Sequence, residues 1–517
     1  MARLAGSSTL PRQNFMSVGR SLYSVAISSS PHSRRSTQTS YRTVRNLSNS
    51  ITQRQQSIKV LNKEHSIDDY TNLPTSINSR LQLEPRLPQT ASHPINLLCN
   101  QIHRSMPEFK VIKPPSPVVS VEDNFGSLGF PEDHPGRSPT DTYYINRKTC
   151  LRTHTSTHEV DTFSKGHTKW LLTADVFRRD EIDASHYPIF HQMEGACVYD
   201  LNEYEEGGRV RKECEQMEQR LKSSQIEIED NVDLQEAGGY QPSHEQDPKK
   251  KVAAQLAMRH LKASLNNLVL DLFSERHAAD VASEVAAGST AEPLRVRWIS
   301  ASFPFTSPSF EIEVMFRGKW LEILGCGVVM ERTLENAKVQ NKLGWAFGLG
   351  LERIAMVLFQ IPDIRLFWSQ DPRFLSQFAS SKSLDSKTGI SPAGGASVPE
   401  DSSAPPSKLP LITFKPYSRY PPCYKDVSFW LPTKTGSSNV PALHENDVFE
   451  VIRDIAGDLT EDVVLIDDFV HPKTQKQSKC FRINYRSMDR NLENEEVNQI
   501  HAKVTQRLVD ELKVELR

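Results

Sequence analysis

From Val252 to Arg276 the chain reads VAAQLAMRHLKASLNNLVLDLFSER, with Leu261, Leu265, Leu268 and Leu272 recurring at helical spacing. That stripe predicts a helix with one face in a core. Short runs of alternating or continuous apolar residues follow: RVRWISASFPF, FEIEVMF and WLEILGCGVV. Their length and β-branched, aromatic content predict strands. A glycine-punctuated turn then opens an apolar helix in AFGLGLERIAMVLF. Helices flanking an antiparallel set of strands predict an α+β domain. Farther on, DVSFWLP, NDVFEVIRDIAG, VVLIDDFV, CFRINYR and NEEVNQIHAKVTQRLVDELKVEL read as strand, helix, strand, strand and helix. That order predicts a small ferredoxin-like sandwich at the C-terminus.

Three segments break the pattern. No acidic residue precedes Glu64, while Arg3, Arg12, Arg20, Arg34, Arg35, Arg42 and Arg45 are spread through Ser and Thr. Such a cationic, acid-poor start predicts a mitochondrial transit peptide and a disordered segment through residue 90. Residues 203–251 are highly charged and predict a surface insertion without chemistry. Residues 376–410, rich in Ser, Pro, Gly and Ala, predict a flexible linker. The domains are then 91–375 and 411–517.

Composition narrows the classes. The net charge of −2 over 517 residues decides nothing about nucleic acid. Seven cysteines without a CxxC pair argue against a disulfide framework and a structural zinc site. No apolar run approaches the ~18 residues of a membrane span.

The candidate chemistry lies in VFRRDEIDASHYPIFHQMEG, residues 176–195. Read as a hairpin, Phe190, Gln192 and Glu194 share one face of a strand. Arg178 at the preceding strand end offers a permanently charged fork for a phosphate. Phe190 offers a flat plate for a base, and Gln192 and Glu194 can receive an ammonium. His186, in the connecting loop, can reach outer phosphates. The glycine turn GLGLER places Arg353 at a helix start, with Gly348 and Gly350 allowing close backbone approach. An arginine opposite Phe190 would close an adenine between a ring and a guanidinium. Phe303 and Phe305, two apart, point the same way and can meet a substrate ring.

With FRRD…FHQMEG and GLGLERIAM the chain resembles the class II aminoacyl-tRNA synthetases. NFGSLGFPEDHP…DTYYI, RTHTS, SFPFTSPSFEIEV, WLEILGCGVV and WAFGLGLERIAM together resemble the phenylalanyl-tRNA synthetases of the single-chain mitochondrial kind. FKPYSRYPP…KDVSFWLP onward resembles the ferredoxin-fold anticodon-binding domain of that family. The resemblance implies a class II antiparallel-sheet catalytic domain, with ATP and Mg²⁺ used to make phenylalanyl-adenylate. The phenylalanine would then pass to tRNA(Phe), in the mitochondrial matrix and by a monomer. It implies that Arg178 and Arg353 are catalytic, and that Ser185, His186, Tyr187, Phe190 and Glu322 join them around ATP, Glu322 also serving as the Mg²⁺ carboxylate. It implies an amino-acid site of His154, Ser156, Thr157, His158, Glu159, Gln192, Met193 and Glu194, with Phe303, Phe305, Ala346 and Phe347 shaping the ring pocket. Asp180 stands where the wider class has Glu, and no role follows for it. No segment is left over for an editing domain. The basic strip Lys473, Lys476, Lys479, Arg482, Arg486 and Arg490, accompanied in sequence by the single acid Asp489, is suited to RNA phosphates. A catalytically silent RNA-binding paralogue is the competing reading, opposed by the presence of Arg178, Gln192, Glu194, Glu322 and Arg353.

Overall fold

The structure is a computed structural model that describes residues 57–286, 292–379, 411–416, 420–432 and 443–517. The transit peptide expected before residue 57 and most of the expected linker, 380–410, lie outside the described residues.

An eight-stranded sheet forms the body of the larger domain. Its order is Lys110–Ile112, Lys169–Phe177, Ile189–Asp200, Lys342–Gly350, Lys319–Val329, Thr306–Phe316, Leu294–Phe303 and Ile226–Asp230. The six inner strands are antiparallel, as the apolar runs predict. The two edge strands run parallel to their neighbours, which the sequence reading did not foresee. One face of the sheet packs on the helices Pro94–Ser105, Pro248–Ala286 and Leu351–Phe359. Leu261, Leu265, Leu268 and Leu272 are all buried there, so the leucine stripe does what its spacing implies. The other face carries the candidate site.

Two boundaries are corrected. The expected disordered segment through residue 90 is folded from Ser57 onward: a hairpin spans 57–66, a short helix spans Thr75–Arg80, and Val60, Ile77 and Leu81 reach the main core. These few apolar residues are too widely spaced to form a visible period. The expected surface insertion at 203–251 is also part of the fold. Helix Arg209–Lys222 buries Val210 and Cys214, one turn apart, against the long helix, and Ile226–Asp230 closes the sheet edge. A stripe only two residues wide is hidden among charged neighbours in the sequence. The long helix itself begins at Pro248, inside the expected insertion.

The C-terminal domain has strand order Thr460–Val470, Gln477–Tyr485, Cys423–Trp430 and Glu515–Leu516, all antiparallel, with helices Glu445–Ala456 and Asn494–Leu512 on one face. The expected β-α-β-β-α order is present, and the two-residue last strand completes βαββαβ. All seven cysteines are free. Among the described residues no helix is long and apolar enough to cross a membrane.

The two domains touch along the loop 178–188. Ile182 packs on the C-terminal core, and its carbonyl accepts from Val463 N–H at 3.1 Å. Arg179 reaches Asp447 at 3.1 Å, and Arg365 donates to the carbonyls of Asp458 and Arg486 at 3.1 and 3.2 Å. The second arginine of the FRRD run therefore serves the domain contact.

Candidate active site

Register across the sheet builds the site. Glu311 lies opposite Gly325, Gly325 opposite Gly348, and Gly348 opposite Glu194. Directly opposed residues share a face, so two carboxylates stand on either side of a floor made of two glycines. A Cβ on Gly325 would come within 2.8 Å of the Phe303 ring, and one on Gly348 would meet Glu194 at an ordinary 3.5 Å. The Gly325 site is thus closed to any larger residue, because the ring already occupies it.

At the carboxylate end, Glu194 accepts from Thr155 Oγ1 at 2.6 Å and Ser156 Oγ at 2.9 Å. Gln192 Oε1 accepts from the Thr155 backbone N–H at 3.2 Å. These residues sit in the turn 155–158, which ends the RTHTS run and starts helix Glu159–Ser164. Glu159 is fully buried beside Glu194. Burial first, and then the Glu194 charge, push its carboxyl well above the usual range. Thr155 is a site residue the sequence reading missed; its adjacency to Ser156, with both hydroxyls available to one acid, was the signal.

At the other end is an aromatic box. Phe303 stacks on Phe305 with ring centroids 5.9 Å apart, and Phe305 lies near Phe130 at 5.9 Å and His154 at 6.0 Å. His154 also stacks on Phe130 at 5.4 Å. Buried among rings, with the Arg178 charge as a second cause, its imidazole falls to about 3 and is neutral. Both its nitrogens are buried without a hydrogen-bond partner. Phe125, edge-on to Phe130 at 5.4 Å, and Phe130 itself were not foreseen, since lone phenylalanines outside long elements carry no period. Ala346 lies on the same face, opposite Ala196 and Gly327, where its small side chain leaves room.

Alternation along the strands corrects two of the expected pocket residues. Phe347 lies opposite Gly195, where a Cβ would come within 2.3 Å of its ring, and it packs in the main core on the opposite face. Met193 is in that same core. A strand puts neighbouring residues on opposite faces, so neither can join Ala346, Gln192 and Glu194. His158 also turns away. Its Nε2 lies 3.0 Å from Arg152, which is paired with buried Asp175 at 2.8 Å. Burial and that guanidinium lower His158 to about 3. Thr157 is buried, with its hydroxyl unpartnered.

The nucleotide half is built from the hairpin and the glycine turn. Arg178 Nε donates to the Thr153 carbonyl at 2.8 Å, and its guanidinium carbon lies 5.2 Å from the Phe190 ring centre. On helix Leu351–Phe359, Glu352 is buried and accepts from His191 N–H at 2.8 Å and bonds its Nδ1 at 2.6 Å. The next residue, Arg353, is turned about 100° around the helix and is exposed toward Glu322 at 3.6 Å. Burial first, and then neighbouring Glu311, raise the Glu322 carboxyl to about 7. Glu311 was missed by the sequence reading, although FEIEV sets Glu311 and Glu313 on one face.

The loop residues diverge. Ser185 and His186 bond Asp183 at 2.9 and 2.8 Å, and that carboxylate raises His186. Tyr187 is buried at the domain contact, where its hydroxyl donates to Asp458 at 2.6 Å and its ring stacks on Trp368. Buried against the other domain, it does not join Phe190 and Arg353.

In the C-terminal domain Phe481, Ile483 and Tyr485 point inward while Arg482 and Arg486 point out, as alternation predicts. The basic strip is not unopposed, however. Lys476 pairs with Glu515, Lys479 with Glu445, Arg482 with Asp426, Arg486 with Glu461, and Arg490 with Glu496. The acids come from other elements, which a local count along one strand cannot see. Lys473 is exposed in the turn before that strand.

Residues 76–220 and 251–378 match the family described as tRNA synthetases class II core domain (F), and residues 418–517 match the ferredoxin-fold anticodon binding domain. A mitochondrial phenylalanine–tRNA ligase of Saccharomyces cerevisiae is 42% identical over 82% of this chain and 88% of its own length. That of Mus musculus is 37% identical over 89% of each chain. The phenylalanine–tRNA ligase alpha subunit of a Prochlorococcus marinus strain is 30% identical over 49% of this chain. The chain belongs to the mitochondrial phenylalanine–tRNA ligase family, with a class II synthetase core and a ferredoxin-fold anticodon-binding domain.

Proposed function

We infer that this protein uses ATP to join phenylalanine to tRNA(Phe) through phenylalanyl-adenylate, in the mitochondrial matrix and as a monomer. The observation that carries the reading is the glycine floor, with an ammonium acceptor, Glu194, at one side and an apolar ring box within reach. The amino acid lies with its ring against Phe303 and Phe305 and its ammonium at Glu194, beside Gln192 and Ser156. His154, neutral and stacked, closes the ring box without adding charge. A tyrosine hydroxyl in this box would lose its water, and unmet polar burial costs about 1–3 kcal/mol.

Adenine takes the space between Phe190 and Arg353, and Arg178 swings from the ring onto the α-phosphate. The phenylalanine carboxylate then attacks the α-phosphorus in line and pyrophosphate leaves, so the residues act by positioning and by offsetting charge. Glu322 and Glu311 form a hard-oxygen donor set suited to Mg²⁺. Bound there, the ion would supply charge neutralisation for the phosphates. The tRNA 2′-hydroxyl finally attacks the adenylate carbonyl and releases AMP. The anticodon arm lies on the C-terminal domain, where Lys476, Lys479, Arg482, Arg486 and Arg490 exchange carboxylate partners for phosphates and exposed Lys473 adds its charge.

The test is ATP–pyrophosphate exchange with phenylalanine, tyrosine or no amino acid. Exchange stimulated by phenylalanine alone is expected; stimulation by tyrosine to a similar extent would refute the pocket assignment.

A further inference from the structure

Two carboxyls buried side by side are one more than a single ammonium requires. Glu194 has a donor on each oxygen, Thr155 on one and Ser156 on the other, with lone pairs left over. Glu159, with no exposed surface, is different: as a carboxylate, neither of its oxygens meets a donor. The group beside it is another acceptor, Glu194. A buried, unpaired carboxylate against a second negative charge is not tenable in a site of low polarity.

We propose that Glu159 stands as the neutral acid of the pair, donating its O–H to Glu194, so that the cleft holds one negative charge matched to the one ammonium of the amino acid. The proposal rests on the reading of this cleft as the phenylalanine site. A proton between the two acids resolves both faults at once. It gives Glu159 a partner, and it adds a third donor that fixes the Glu194 plane. Burial raises both carboxyls, Glu159 well above the usual range, and at Glu194 the hydrogen bonds from Glu159, Thr155 and Ser156 work against burial in favour of its charge. Glu159 is then a positioning residue acting through Glu194.

The surrounding charges do not supply another proton or counterion. His154 and His158, in the preceding turn, are both neutral. On the adjoining strand Asp175 is engaged by Arg152 and Arg86. Asp161, on the same short helix as Glu159, and Lys165, just past its end, pair with each other in solvent. Across that helix, Glu331 of Glu331–Asn336 is paired with Lys250.

The test compares the wild-type protein with Glu159→Gln, which keeps an N–H donor and adds no charge, and Glu159→Met, which keeps length and removes the donor. Phenylalanine and ATP are varied separately in the exchange assay. Glu159→Gln holds the phenylalanine KM within about threefold, while Glu159→Met raises it about tenfold or more with the ATP KM unmoved. Infrared spectra at pH 7 give a second readout that does not depend on the Met variant folding. The protonated-carboxyl C=O band of wild type, to which Glu322 also contributes at this pH, loses the Glu159 component in Glu159→Gln. A Gln variant as impaired as the Met variant would overturn the proposal, as would an indifferent Met variant or an unchanged protonated-carboxyl band in Glu159→Gln. Wild-type protein without phenylalanine-dependent exchange would instead refute the site reading beneath it.

Discussion

Replacing Glu194 by Gln removes one charge and leaves the shape of the site. Glu194 is only 2% exposed, with Thr155 Oγ1 on one oxygen at 2.6 Å and Ser156 Oγ on the other at 2.9 Å. Both donors are hydroxyls, which can rotate to accept from the new amide N–H₂, so the fold has a way to adapt. The ammonium of phenylalanine has no such choice. A hydrogen bond to a charged group contributes about 1.5–3 kcal/mol, and each 1.36 kcal/mol is tenfold in rate. Glu194→Gln should therefore lower kcat/KM for phenylalanine by roughly 10- to 150-fold. The proposed ATP subsite around Phe190, Arg353 and Glu322 does not include Glu194, so the ATP KM should stay within about twofold. The assay is ATP–pyrophosphate exchange with each substrate varied in turn, with circular dichroism confirming the fold. A phenylalanine kcat/KM within about threefold of wild type would refute the ammonium assignment, as would an equal loss in ATP binding.

Arg353→Ala should abolish exchange while leaving the melting temperature unchanged, because Arg353 lies over the cleft and Glu352 anchors the helix; persistent exchange would exclude it from adenine binding. Glu322 is held near 7 in the fold against 4.5 unfolded. The native state thus binds more protons between those values, and Glu322 lowers stability as pH rises from about 4.5 through about 7. Glu322→Gln should gain on wild type across that window, by on the order of 1–3 kcal/mol, as read by denaturant melts at pH 5 and 8 without magnesium. Deleting residues 57–90 along with 1–56, relative to deleting 1–56 alone, should lower the melting temperature, since Val60, Ile77 and Leu81 leave the core; an unchanged melt would refute that packing. Scattering with and without tRNA tests whether the C-terminal domain moves, and release of Ile182 and Arg179 should enlarge the particle.

Part of the site could be read from the chain because several of its residues share one strand, Ile189–Asp200, and one helix start. Phe190, Gln192 and Glu194 follow from alternation alone, and the glycine turn marks Arg353. Phe347 was misassigned because the sequence shows adjacency, whereas a strand separates adjacent residues onto opposite faces and leaves only Ala346 of the two on the cleft side. Met193 fails in the same way. Tyr187 was drawn to the nucleotide by its neighbours, yet the C-terminal domain takes it, as it takes Arg179, and contact between residues some 270 positions apart leaves no local pattern. The Glu311–Gly325–Gly348–Glu194 row depends on the register of four strands, which periodicity cannot supply. The carboxylates that pair the basic strip come from separate elements and are equally invisible in one segment.

The most direct measurement of the central claim is charging of a tRNA(Phe) transcript with radiolabelled phenylalanine, with tRNA(Tyr) as control and ATP omitted in parallel. The account predicts ATP-dependent, acid-stable label on tRNA(Phe) alone, lost in Arg178→Ala. Adenylate formation without any label on tRNA(Phe) would contradict it.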